Sequence, residues 1–220
     1  MSFIFSQVTR RGIVMTADRC ATGKATLERT TGTREDFCVT VSTTLQKIFV
    51  TKNNIGISSY GDGTVNKTSM ENCLCAFLEQ LDVEKYRTPY EVANHLKDFF
   101  WQLDQNIMNL FHVGGYDTTG KLPLPALYMV ATNERVVEKI NCDETYQGSI
   151  LAGMTGIAGD ITKRIGSEFR NYNLRDAIEF AKFLTDTDRQ LMRFMRRGQA
   201  ISEEIDIFII KPDGIQWIEG

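Results

Sequence analysis

No apolar run in this sequence approaches the ~20 residues that a membrane-spanning helix needs, so none is expected. The first residues carry no charged segment leading into an apolar one. A secretory leader is therefore not expected, and the chain is read as cytoplasmic. No basic stretch is present that could track a phosphate backbone, and the net charge is −3, which argues against nucleic acid as the main partner. Histidine is scarce. His95 and His112 are far apart and neither accompanies a nucleophile elbow, so no metal set, no cofactor and no histidine-based triad is expected. The cysteines (Cys20, Cys38, Cys73, Cys75, Cys142) are odd in number and scattered. Cys73 and Cys75, one residue apart in a helical pattern, point to different faces and suit neither a zinc knuckle nor a redox pair; buried reduced thiols are expected. No linker, repeat or low-complexity stretch divides the 220 residues, which suit one domain over 1–220 with a substantial core.

What is present is a succession of two hydrophobic periods. Residues 3–8 and 12–18 are short apolar runs about a tight turn, Thr9-Arg10-Arg11-Gly12. Residues 20–44 form a polar, threonine-rich interval, expected to hold a loop and an irregular hairpin near 37–41. Residues 46–51 and 55–60 read as a second hairpin turned by Lys52-Asn53-Asn54, whose asparagines tolerate positive φ. The period then changes. Met70, Leu74, Phe77, Leu78 and Leu81 mark one helix face. Thr88-Pro89-Tyr90-Glu91 has a capping hydroxyl, a first-turn proline and an acid placed for a capping box. The helical stripe it opens is expected to run through Val92, Leu96, Phe99, Leu103, Ile107 and Leu110 until Gly114-Gly115 breaks it. Strands are expected over 125–132, 135–141 and 149–152, helices over about 157–170 and from Asn173 to about Met195, and a closing hairpin at 205–210 and 215–218. Antiparallel strands with two consecutive helix pairs suit an α+β fold: a four-layer αββα sandwich of two antiparallel sheets flanked by helix pairs.

Four stretches in this order carry a resemblance: Gly12-Ile13-Val14-Met15-Thr16-Ala17-Asp18-Arg19, Gln46-Lys47-Ile48-Phe49, Asn54-Ile55-Gly56-Ile57-Ser58-Ser59-Tyr60-Gly61 and Val113-Gly114-Gly115-Tyr116-Asp117. With the ending Ile205 to Gly214, they resemble the proteasome β-subunit family and its bacterial relatives, which are N-terminal-nucleophile hydrolases. The resemblance spans nearly the whole chain. Counting back from Asp18 without a gap places Ser2 where the family has its catalytic N-terminal threonine, and removal of Met1 is expected to expose it.

A serine hydroxyl attacks an amide only when a base takes its proton. At a free N-terminus the α-amino group is that base, directly or through one water, and a lysine cation nearby keeps more of it neutral. The resemblance implies that Lys47 is this cation, that Asp18 holds it, and that the Gly61 N–H receives the oxyanion. It also implies that the main chain of Thr22 pairs with an extended substrate, with Ala21, Phe49 and Gly63 shaping the pocket. The expectation is a hydrolase, a serine- or threonine-type peptidase of the proteasome kind acting on a peptide or amide substrate. A homo-oligomeric ring or related assembly is expected, with no partner ATPase named by the sequence. A catalytically silent structural subunit, a small-molecule amidase and a binding module for extended peptides are the other readings.

The sequence departs from the family in its second half. Met154 stands where a serine is usual, with Thr155 beside it, and Arg197-Gly198-Gln199-Ala200-Ile201-Ser202-Glu203 replaces the serine- and glycine-rich stretch before the last hairpin. Cys20 occupies an often basic position, and the 20–44 interval is longer than usual.

Overall fold

The computed structural model describes residues 3–28, 32, 34–140, 148–153, 156–192, 194 and 201–218. Two five-stranded antiparallel sheets organise them. In the first, β1 (Phe3–Thr9) and β2 (Gly12–Asp18) pair across the Arg10–Arg11 turn, with Ile4 opposite Ala17 and Thr9 opposite Gly12. Every residue of both strands is buried, because one strand face meets the other sheet and the opposite face meets helices. Thus Phe3, Phe5 and Val14 pack toward the helices, while Ile4, Val8, Ile13 and Met15 pack between the sheets.

The 20–44 interval holds the expected irregular hairpin, but over more residues than 37–41: β3 (Ala21–Glu28) pairs antiparallel with β4 (Arg34–Ser42), with one register shift between Ala21 and Thr22. These two strands make a separate two-stranded sheet. Threonine and valine supply the β propensity that the interval's polarity hides.

β5 (Ile48–Val50) and β6 (Gly56–Gly61) form the expected second hairpin, with Asn54 at φ 60 in its turn. Short β7 (Thr64–Val65) and β8 (Thr68–Ser69) lead into α1 (Met70–Gln80). α2 (Pro89–Leu103) opens on the capping box read from the sequence: Thr88 Oγ1 accepts from Glu91 N–H, and Glu91 reaches back to Thr88 N–H. Cys73 is buried and Cys75 exposed, so the two do face differently, but Cys75 is not the buried thiol expected.

The helix ends at Leu103, seven residues before Leu110, the last residue of the predicted stripe. Residues Asn109–Asp117 are a strand, β9, and Gly114-Gly115 lies inside it rather than breaking a helix. Leu103, Ile107 and Leu110 keep helical spacing by coincidence, whereas Phe111 and Val113 alternate with the inter-sheet residues His112 and Gly114. A side chain at Gly114 would press on Met15 Sδ at 3.2 Å, and one at Gly115 would meet Ile55 and Pro89 at 3.0 Å. The paired glycines admit close layers on both faces of β9.

β10 (Leu124–Ala131) and β11 (Val136–Lys139) complete the second sheet, ordered β11-β10-β9-β6-β5. β12 (Gly148–Gly153) pairs with β1 at the edge of the first sheet. α3 (Gly156–Ile165) passes through a 3-10 turn at Gly166–Asn171 into α4 (Leu174–Met192). Asn173 caps α4, its Oδ1 accepting from Arg175 N–H at 2.8 Å and Asp176 N–H at 3.1 Å. β13 (Ile205–Lys211) and β14 (Gly214–Ile218) close the first sheet, ordered β12-β1-β2-β13-β14.

Three apolar clusters hold these parts. One joins α1 and α2 to β6, β9 and β10; a second joins α4 and Ala158 of α3 to β1, β2 and β13; the third fills the space between the sheets. Inside the third lies a polar exception. His112 Nδ1 and Ser6 Oγ share a 2.9 Å hydrogen bond that links the two sheets. Burial pushes the His112 imidazole down to about 3, so the ring is neutral at physiological pH.

Candidate active site

Asp18 ends β2 with its side chain fully buried. A buried carboxylate is stable only with close partners, and three donors converge on this one. Oδ1 accepts from the Phe3 N–H at 2.7 Å and from Lys47 Nζ at 2.7 Å, and Oδ2 accepts from the Cys20 N–H at 2.8 Å. Lys47 precedes β5 and is 3% exposed. Its Nζ also donates to the Cys20 carbonyl. Burial pushes the Lys47 ammonium below the usual lysine value, and the charge and hydrogen bond of Asp18 oppose that shift. Two of the three ammonium N–H groups are engaged among the described residues, which leaves one donor for a further acceptor. The first sheet thus supplies the carboxylate, and the segment entering the second supplies the cation.

Cys20 sits beside this pair and is itself buried. Desolvation, with the Asp18 charge adding to it, pushes its thiol up. It is therefore a poor thiolate nucleophile.

Gly61 ends β6. The Ser59 N–H donates to the Lys47 carbonyl at 3.0 Å, so Gly61 stands two strand residues, about 7 Å, beyond the level of Lys47. Its φ is +130, and a Cβ there would lie 2.1 Å from the Met108 carbonyl oxygen. Asn109 is a functional candidate that the sequence reading missed. Its Nδ2 donates to the carbonyls of Tyr60 and Asp62, the residues on either side of Gly61, at 3.2 Å each. In a trans peptide the N–H points opposite the C=O, so holding the Tyr60 carbonyl also fixes the direction of the Gly61 N–H. The helical spacing of Leu103, Ile107 and Leu110 masks Asn109 in the sequence.

A second missed group is Ser202, 2% exposed, whose Oγ accepts from the Arg19 N–H at 2.7 Å. Arg19 Nη2 pairs with Asp206 at 2.6 Å and Nη1 with Glu204 at 2.8 Å. The Asp206 hydrogen bond leads the effects that hold the guanidinium above its ordinary value. Ser202, Glu204 and Asp206 thereby clasp the residue next to Asp18 from the approach to β13. Their polar alternation was the available signal.

The other expected residues are placed as follows. Thr22 is in β3 opposite Thr40 of β4. Ala21 begins that strand opposite Ser42. Phe49 is buried in the cluster beneath α1 and α2. Gly63 is exposed with nothing within 4 Å of a Cβ built there, so no contact demands glycine. Ser2, Met154, Thr155 and 195–200 lie outside the described residues. A cleft of about 1470 Å³ exists, but it lies at the other end of the strands and includes neither Asp18, Lys47 nor Gly61.

No family model matches the sequence, and no curated protein matches it. The structure is similar to that of a Gly-1 mutant of Anbu from Hyphomicrobium sp. strain MC1. The TM-score is 0.70 and the identity 12%, covering 100% of this chain and 88% of that one. No helix is long and apolar enough to cross a membrane among the described residues. The chain shares with that Anbu structure a mixed α/β fold of antiparallel sheets and helices.

Proposed function

We propose that this protein is an N-terminal-nucleophile amide hydrolase, a peptidase of the proteasome β type, built as one four-layer αββα domain over 1–220. The observation that carries the reading is the buried Asp18 carboxylate shared between the Lys47 ammonium and the Phe3 N–H. Ser2 is the residue bonded to that nitrogen.

Once Met1 is removed, the Ser2 α-amino group takes the hydroxyl proton and Oγ attacks the substrate carbonyl. The Gly61 N–H stabilises the resulting oxyanion, a contribution of about 3 kcal/mol for a well-aimed donor. The C–N bond then breaks, the leaving amine takes the proton, and water hydrolyses the Ser2 ester. Lys47, held by Asp18, keeps the α-amino group deprotonated and offers its third N–H to Ser2 Oγ. The main chain at Thr22 in β3 receives the substrate backbone, beside Ala21 and Gly63, while Phe49 supports this region from the core. We assign the soluble cytoplasm as its compartment and a homo-oligomeric assembly as its working form, which light scattering measures.

One observation favours a second reading, a silent structural subunit: the Met108 carbonyl alone explains glycine at 61.

Intact-mass measurement is expected to show Met1 absent, and Ser2→Ala is expected to abolish cleavage of a fluorogenic peptide panel. Retained Met1, or unaltered turnover in the variant, sinks the hydrolase reading. Covalent labelling of Ser2 by a β-lactone rules out the silent subunit.

A further inference from the structure

At the other end of the first sheet the chain builds a feature that the Asp18–Lys47 site does not use. The β1–β2 turn, the β13–β14 turn, the loop between β9 and β10 and the start of α4 enclose the cleft of about 1470 Å³. That volume exceeds the roughly 300–1,000 Å³ typical of small-molecule pockets, and it suits a segment of chain. β2 spans Gly12 to Asp18, so six strand steps, about 20 Å, separate the cleft from the buried pair.

The lining is apolar within and cationic at the rim. Ile209 is buried, and Tyr116, Leu174 and Ile178 are half-buried. Leu122 and Leu124 stand at the lip, 72% and 42% exposed. Arg10 and Arg11 are exposed and have no ion-pair partner among the described residues. Lys211 Nζ donates to the neutral Gln216 amide at 3.3 Å and has no ion-pair partner among the described residues. Arg175 is already matched by Glu179 at 2.8 Å and is not counted. None of the described lining residues is acidic; Asp213, in the β13–β14 turn, is the acid whose charge reaches Tyr116.

A chain of net charge −3 has therefore gathered, around exposed leucines, three cations with no ion-pair partner among the described residues. Pairing this face with itself in a two-fold dimer would set cations against cations. We infer that the cleft binds an acidic segment of another protein, its carboxylates on Arg10, Arg11 and Lys211 and a large apolar side chain between Leu122, Leu124 and Ile178. Charge at the rim sets encounter rate and salt dependence, while the apolar anchor sets residence.

The test uses fluorescence anisotropy of the full chain with a fluorescein-labelled peptide of alternating glutamate and leucine. Versions with glutamine for glutamate and serine for leucine serve as controls. The glutamate–leucine peptide is expected to bind best and to weaken as salt rises. Arg10→Glu combined with Arg11→Glu is expected to weaken it at least about tenfold, and Leu122→Ser several-fold. Lys47→Met, at the distant site, is expected to leave it unchanged. Failure to bind, equal binding of the glutamine peptide, or indifference to the double reversal overturns the inference. It is also overturned if light scattering shows that the double reversal dissolves an oligomer with which the peptide does not compete, because the face then belongs to a second copy.

Discussion

The two ends of β2 sit in opposite physical situations. At Asp18 the chain has removed water and then answered every charge from within: one carboxylate takes three donors, and the adjacent Arg19 is clasped by Asp206 and Glu204. At Gly12 the strand emerges beside Arg10 and Arg11, which the described residues leave unanswered, in front of exposed leucines. Internal pairing in a dry interior fixes geometry, which chemistry on a bound amide requires. Open, uncompensated charge fixes nothing by itself and is useful for attracting something from outside. One strand thus joins an end suited to reaction with an end suited to recognition.

That contrast is breakable by mutation. The largest effect is expected from Asp18→Ala, which strands the Lys47 cation in the interior and costs about 3–5 kcal/mol in urea unfolding. A cost below about 1 kcal/mol would mean that water reaches the pair. A pH-dependent effect of a few kcal/mol is expected from His112, midway between the ends. Its folded pKa of about 3 lies below the ordinary 6.5, so below pH 6.5 the unfolded chain takes up a proton that the folded chain refuses. Its share of stability is whole above pH 6.5 and is lost as pH falls toward 3. Subtracting the unfolding profile of His112→Phe from that of the parent isolates this share, and parallel profiles would show that the ring is not dry. The smallest effect is expected at the far end: the Arg10→Glu, Arg11→Glu pair shifts stability by no more than about 0.5 kcal/mol despite reversing two charges. A larger loss would show that those arginines serve the fold.

The misreadings share a cause. A stripe of Leu103, Ile107 and Leu110 satisfies helical spacing, but helix or strand at Asn109 is decided by hydrogen-bond partners far away in sequence, β6 and β10. The hairpin of the polar 20–44 interval likewise runs longer than expected because its two halves pair with each other, and a hairpin of polar residues has no strong period to read. The same misassignment hid Asn109, while Asp18 and Lys47 were legible because a family pattern fixed their spacing.

By itself, the sequence determined the Thr88–Glu91 capping box, the Arg10–Arg11 and Asn54 turns, the closing hairpin and the faces of α1. These depend on residues within a few positions of one another, where propensity and local hydrogen bonds suffice. Tertiary structure alone decided that Asn109 braces Gly61, that Ser202 holds Arg19, that Ser6 meets His112 across the sheets, and that distant loops enclose a cationic cleft. The three hydrogen bonds among them join residues 49 or more apart in sequence, so strand pairing within a sheet and the stacking of one sheet on the other set their distances.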